Sequence, residues 1–67
     1  MNYAEYDWTR DARSLMEAFE WDLITQNMDD DIREQVHSEL APCSELAFLV
    51  RYLALHWDAH GAEFKIE

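Results

Sequence analysis

The sequence predicts an all-α fold: a compact bundle of three helices, about residues 8–26, 30–41 and 43–60, with a short extended C-terminal tail. Three observations predict it. Apolar residues recur at three- and four-residue spacing through most of the chain. A single Gly and a single Pro leave few positions for the tight turns of a sheet. Hydrophobic residues make up 49% of the 67 residues, too many for a disordered acidic segment and enough for the core of one domain spanning 1–67.

In the first helix Trp8, Ala12, Leu15, Met16, Phe19 and Leu23 form one apolar stripe. Asp7 or Thr9 can cap its start, and Asp11 suits the positive end of the helix dipole. Asn27 is an exit residue that tolerates a left-handed conformation. The second helix opens in the run Asp29-Asp30-Asp31, any of which can cap it, and Asp31 with Glu34 has capping-box spacing. Ile32, Val36 and Leu40 give it a narrow stripe, and Pro42 ends it or begins the next helix.

The third helix carries two apolar stripes, Leu46-Leu49-Val50-Leu53-Trp57 and Phe48-Tyr52-Leu55-Ala59. Such a helix is central in its fold or lies in a subunit interface. Gly61 suits the position just past its end, and His56 and His60 suit the negative end of its dipole. Beyond it, Glu63-Phe64-Lys65-Ile66-Glu67 alternates charged and apolar residues, as an extended segment laid over the helices would.

The charge is lopsided, with 15 Asp and Glu against 5 Lys and Arg, formally -10. Phosphate backbones and anionic lipid repel such a chain, which argues against direct nucleic-acid or membrane binding; basic proteins attract it. A lone cysteine, Cys43, excludes an intramolecular disulfide and fits a cytoplasmic setting. The first residues show no basic stretch followed by an apolar run, and Leu46 to Val50 is far too short to span a membrane.

Catalytic chemistry finds little footing. His56 and His60 have the spacing of two metal ligands, with Glu63 as a third, but Trp57 stands where a metalloprotease motif needs Glu. The helix-end reading is preferred, and no metal or cofactor is expected. Cys43 after Pro42 sits where a helix dipole could activate a thiol, yet nothing places His37 beside it. No Gly-rich phosphate loop exists, and the acidic run lacks the alternation and central Gly of an EF-hand. The chain reads as a binding protein and not an enzyme.

Binding candidates follow from the surplus charge. Asp29, Asp30, Asp31 and Glu34 exceed what capping one helix requires, with only Arg33 nearby. Glu17 and Trp21 lie on the side of the first helix opposite its apolar stripe, with Ile24 and Glu20 close by and Arg10 and Arg13 on the same side. Asp22, next to Trp21 in the chain, joins Glu17 and Glu20 as a candidate partner contact. Trp21 and Tyr6 are the candidate aromatic anchors.

In length, charge, helical character and lack of catalytic motifs, the whole chain resembles small acidic inhibitors. These include anti-CRISPR proteins, DNA-mimicking inhibitors of restriction or repair enzymes, and helical immunity proteins that neutralise nucleases. The resemblance implies a protein that occupies the nucleic-acid-binding surface of a basic partner. The alternative is an assembly module that homodimerises, or docks on a larger subunit, through Phe48, Tyr52 and Leu55.

Overall fold

A computed structural model describes residues 6–61 and 64–66. Four helices follow one another: α1 (Thr9–Ala18), α2 (Trp21–Gln26), α3 (Asp30–Leu40) and α4 (Glu45–His60). The all-α expectation holds, with four helices in place of three. The segment expected as one helix over 8–26 divides at Phe19 and Glu20, both of which adopt extended backbone. Without the break, Ile24 would share the outer side of the helix with Trp21. The break costs regular backbone hydrogen bonds, but it turns Ile24 fully inward and brings Trp21 against α4, leaving Leu23 exposed in their stead.

The helix ends show how the sequence sets boundaries. Trp8 occupies the cap position of α1 without capping through its side chain, while Asp7 Oδ1 accepts from the Thr9 N–H at 2.9 Å. Asn27 does end α2, but at φ -95 and not in the left-handed region; its Nδ2 donates to the Leu23 carbonyl instead. Asp29 caps α3 by accepting from the Asp31 and Ile32 N–H groups, so Asp31 lies inside the first turn and forms no capping box with Glu34. Ser44 caps α4, which places Cys43 just outside the helix it was expected to begin. Gly61 closes α4 in the left-handed conformation at φ 61 and donates to the Trp57 carbonyl.

α4 is the central element, packed against α1 on one side and α3 on another. Its two apolar stripes thus have partners within the chain. Leu49, Tyr52 and Val36 are fully buried with Ile24, and Trp8, Ala12, Met28, Ile32, Phe48, Leu53, Ala54 and Phe64 complete the core. Phe64 stacks edge-on against Tyr52 and His56, while residues 64–66 have no regular secondary structure. Glu63 and Glu67, also read as part of an extended tail, lie outside the described residues. A radius of gyration of 11.0 Å matches the roughly 11 Å of a folded chain of this length.

Candidate partner-binding surface

The acidic run at the start of α3 divides into two kinds of carboxylate. Asp29 is structural. Its Oδ1 caps α3, its Oδ2 lies 3.1 Å from His60 Nε2, and its N–H donates to the Tyr52 hydroxyl at 2.7 Å. Three elements therefore converge on one residue: the α2–α3 turn, the first turn of α3 and the end of α4. Asp30 is paired with Arg33 at 2.7 Å, and Arg33 reaches back to the Thr25 carbonyl of α2. Asp31 and Glu34, one helical turn apart, are exposed and have no cation or donor among the described residues.

The hydrogen bonds leave an electrostatic signature. The Ile32 amide, with His60 and the Asp31 amide, holds Asp29 below the usual aspartate value of 3.8. Hydrogen bonding from the Thr9 side chain and backbone does the same for Asp7, and Arg51 does so for Glu39 from the usual 4.5. A carboxylate whose folded pKa is depressed stabilises the fold above its unfolded pKa, and that contribution is lost as pH falls through the folded value. Acid unfolding should thus show loss of stability as pH drops below about 4. Asp29→Asn retains a capping side chain but not the charge. Its melting temperature should decline less steeply over that acid range than the wild type's, whereas Asp29→Ala should lower the melting temperature at neutral pH by several degrees. Parallel acid profiles for wild type and Asp29→Asn would refute the role given to the Asp29 charge.

The second group of expected carboxylates lies where α1 hands over to α2. Glu17, Glu20 and Asp22 are exposed and likewise unpartnered among the described residues. The two aromatic anchors expected beside them are placed differently. Trp21 is not on an outer face: the break at Phe19 and Glu20 turns it inward, where it meets Phe48 edge-to-face at 6.1 Å and remains partly exposed. It forms one wall of a concavity of about 270 Å³ between α2, α3 and the α3–α4 loop, together with His37, Pro42, Glu45 and Phe48. Tyr6 packs edge-on against Trp8 at 4.7 Å, and its hydroxyl accepts from Arg10.

The face proposed for self-association is mostly interior. Phe48 is 5% exposed and Tyr52 0%, leaving only Leu55 partly exposed. Those two side chains are already covered by the chain's own α2, α3 and Phe64, so little of Phe48 and none of Tyr52 is left for a second copy.

The remaining chemical candidates are embedded in the fold's own contacts. His56 lies against Tyr52, Phe64 and His60, and His60 against Asp29. Glu63, the third ligand considered with them, lies outside the described residues. Among the described residues no group of three or more His, Cys, Asp or Glu is gathered to hold a metal ion, and no helix is long and apolar enough to cross a membrane. Cys43 is exposed on the rim of the concavity. One interaction had no signal in the sequence pattern: Arg51 of α4 donates twice to the Glu39 carboxylate of α3, both at 3.2 Å.

With this geometry in view, a family model decides the class of protein. The model of anti-CRISPR protein AcrIC5 matches residues 17–64. The chain belongs to the AcrIC5 family of anti-CRISPR proteins. The family is one of inhibitors of CRISPR–Cas, whose partner is protein. The matched stretch holds α2, α3 and α4 entire, and with them Trp21 and all seven candidate carboxylates, Glu17 standing at its edge. Tyr6 and most of α1 precede it. No curated protein matches the chain, and no solved structure does.

Proposed function

We propose that this AcrIC5-family protein inhibits a CRISPR–Cas complex without catalysis, by seating its acidic surface on a basic, nucleic-acid-binding surface of that complex. One observation carries the reading. Asp31, Glu34, Glu17, Glu20 and Asp22 are exposed carboxylates with no cation among the described residues, in a chain of net charge -10. Unneutralised charge of this kind repels itself, and beyond the dipole contribution of Asp22 and Asp31 in the first turns of α2 and α3 it gains little locally. Against Lys and Arg that otherwise hold phosphates, the same charge gains charge-assisted hydrogen bonds and steers association. Asp29 and Asp30 act one step back, fixing the first turn of α3 from which Asp31 and Glu34 project. The setting is the cytoplasm of the defended cell, and a phage origin accords with the inhibitors that the chain resembles.

Competition tests this directly. A purified CRISPR–Cas effector complex is loaded with target duplex before the protein is added, and binding is followed at low and high salt. Occupation of the nucleic-acid surface requires that DNA and protein exclude each other, with apparent affinity for the protein falling steeply as salt rises. A ternary complex holding both, at undiminished affinity, would show that the protein inhibits from some other surface.

A further inference from the structure

The concavity beside Trp21 has a chemistry that acidity alone does not supply. Its walls are aromatic, with Trp21 edge-to-face on Phe48 and the His37 ring centred 4.7 Å from Phe48. At about 270 Å³ it suits a single long side chain. Glu45, in the first turn of α4, lines it and has no cation among the described residues. Glu20 and Asp22 flank Trp21 in the chain, exposed and likewise unpartnered. The cation already lining the concavity is committed elsewhere: Arg33 holds Asp30 at 2.7 Å and reaches the Thr25 carbonyl.

An aromatic wall beside an unneutralised carboxylate matches a guanidinium. The ring face attracts the cation, and the carboxylate accepts its planar N–H donors. An apolar side chain would use the wall but leave the carboxylates unanswered. A lysine would satisfy the charge but presents no planar group to lie against the indole. The geometry points to this concavity as an arginine-accepting pocket, in which an arginine of the basic partner lies against Trp21 and donates to Glu45. The inference deepens the proposed function and rests on it for the partner, while the pocket itself can be probed with no partner present.

The probe is N-acetyl-arginine amide, titrated into the ¹⁵N-labelled protein and followed by NMR, with the citrulline and lysine analogues alongside. Citrulline keeps the shape of arginine without its charge. Saturable shifts at the Trp21 indole and at the Phe48 and Glu45 amides are expected with arginine, weaker ones with lysine and none with citrulline. Glu45→Gln, an exposed change in a helix end capped by Ser44, should keep the wild-type spectrum elsewhere and weaken the arginine response about threefold or more. Shifts spread evenly over Asp31, Glu34 and Glu17, shifts equal for citrulline, or a response untouched by Glu45→Gln would each overturn the pocket. The two readings fail separately. A positive titration with no DNA competition leaves the pocket and removes the partner reading; DNA competition with a failed titration removes only the pocket.

Discussion

Tyr52→Ala is expected to leave the protein largely unfolded. Tyr52 is fully buried, and its ring meets Phe64 and His56 while its hydroxyl accepts the Asp29 N–H. Truncating a buried aromatic to alanine costs about 3–5 kcal/mol. A chain of this length has a total stability of roughly 3–10 kcal/mol, so the loss takes a large share or all of it. Tyr52→Phe separates the two contributions. It keeps the packing but leaves the Asp29 amide without its acceptor, and should cost about 1–3 kcal/mol. Urea unfolding followed by circular dichroism measures both. A phenylalanine variant as stable as wild type would show that water replaces the hydroxyl and that the tie between α3 and α4 is energetically idle. The same reasoning changes what a charge at this position means: Tyr52→Glu acts on folding, since no second copy can reach the side chain.

The largest functional effect is expected from reversing charge on α3. Asp31→Lys with Glu34→Lys exchanges two free carboxylates for two ammonium groups on one exposed face. Like charges brought together across an interface cost several kcal/mol, so affinity for the CRISPR–Cas complex should fall by about a hundredfold or more at low salt. The difference from wild type should narrow toward 1 M salt, where the Debye length shrinks to about 3 Å. Helicity should be retained, because Asp31 contributes to α3 only through the dipole and Asp29 still caps it. A doubly reversed protein that binds and inhibits like the wild type would refute the acidic-surface mechanism outright.

How far the sequence carried these conclusions differs from element to element. The boundaries marked by local chemistry were legible: Gly61 and Asn27 stand at the helix ends where their side chains, or the lack of one, suit the cap. Asp29 was one of three equivalent aspartates, and only the backbone selects it. The break at Phe19 and Glu20 was hidden because no Gly or Pro marks it, and because Phe19 and Leu23 continue the four-residue rhythm of α1. That one change of direction decides the fate of Trp21, which a continuous helix would have turned outward. Likewise, the two-sided apolar pattern of α4 identified it as central or interfacial. It could not distinguish a cover made by the chain's own α1, α2 and α3 from one made by a second copy. Tyr52 with Asp29, and Glu39 with Arg51, join residues 23 and 12 positions apart across different helices, and no periodicity within one helix encodes such pairs.

The convergence on Asp29 has a consequence for the energetics of inhibition. Helix ends ordinarily fray, and carboxylates on a frayed turn must be ordered at the moment of binding. Here the turn is held from outside the helix, by an aromatic hydroxyl from the core and by the imidazole of His60. On the proposed acidic surface, Asp31 and Glu34 are therefore set one turn apart on a fixed scaffold before any partner arrives. Little conformational freedom remains to be surrendered on docking, and more of the attraction survives as affinity. Through Tyr52, the apolar interior thus fixes the geometry in which the charged exterior is presented.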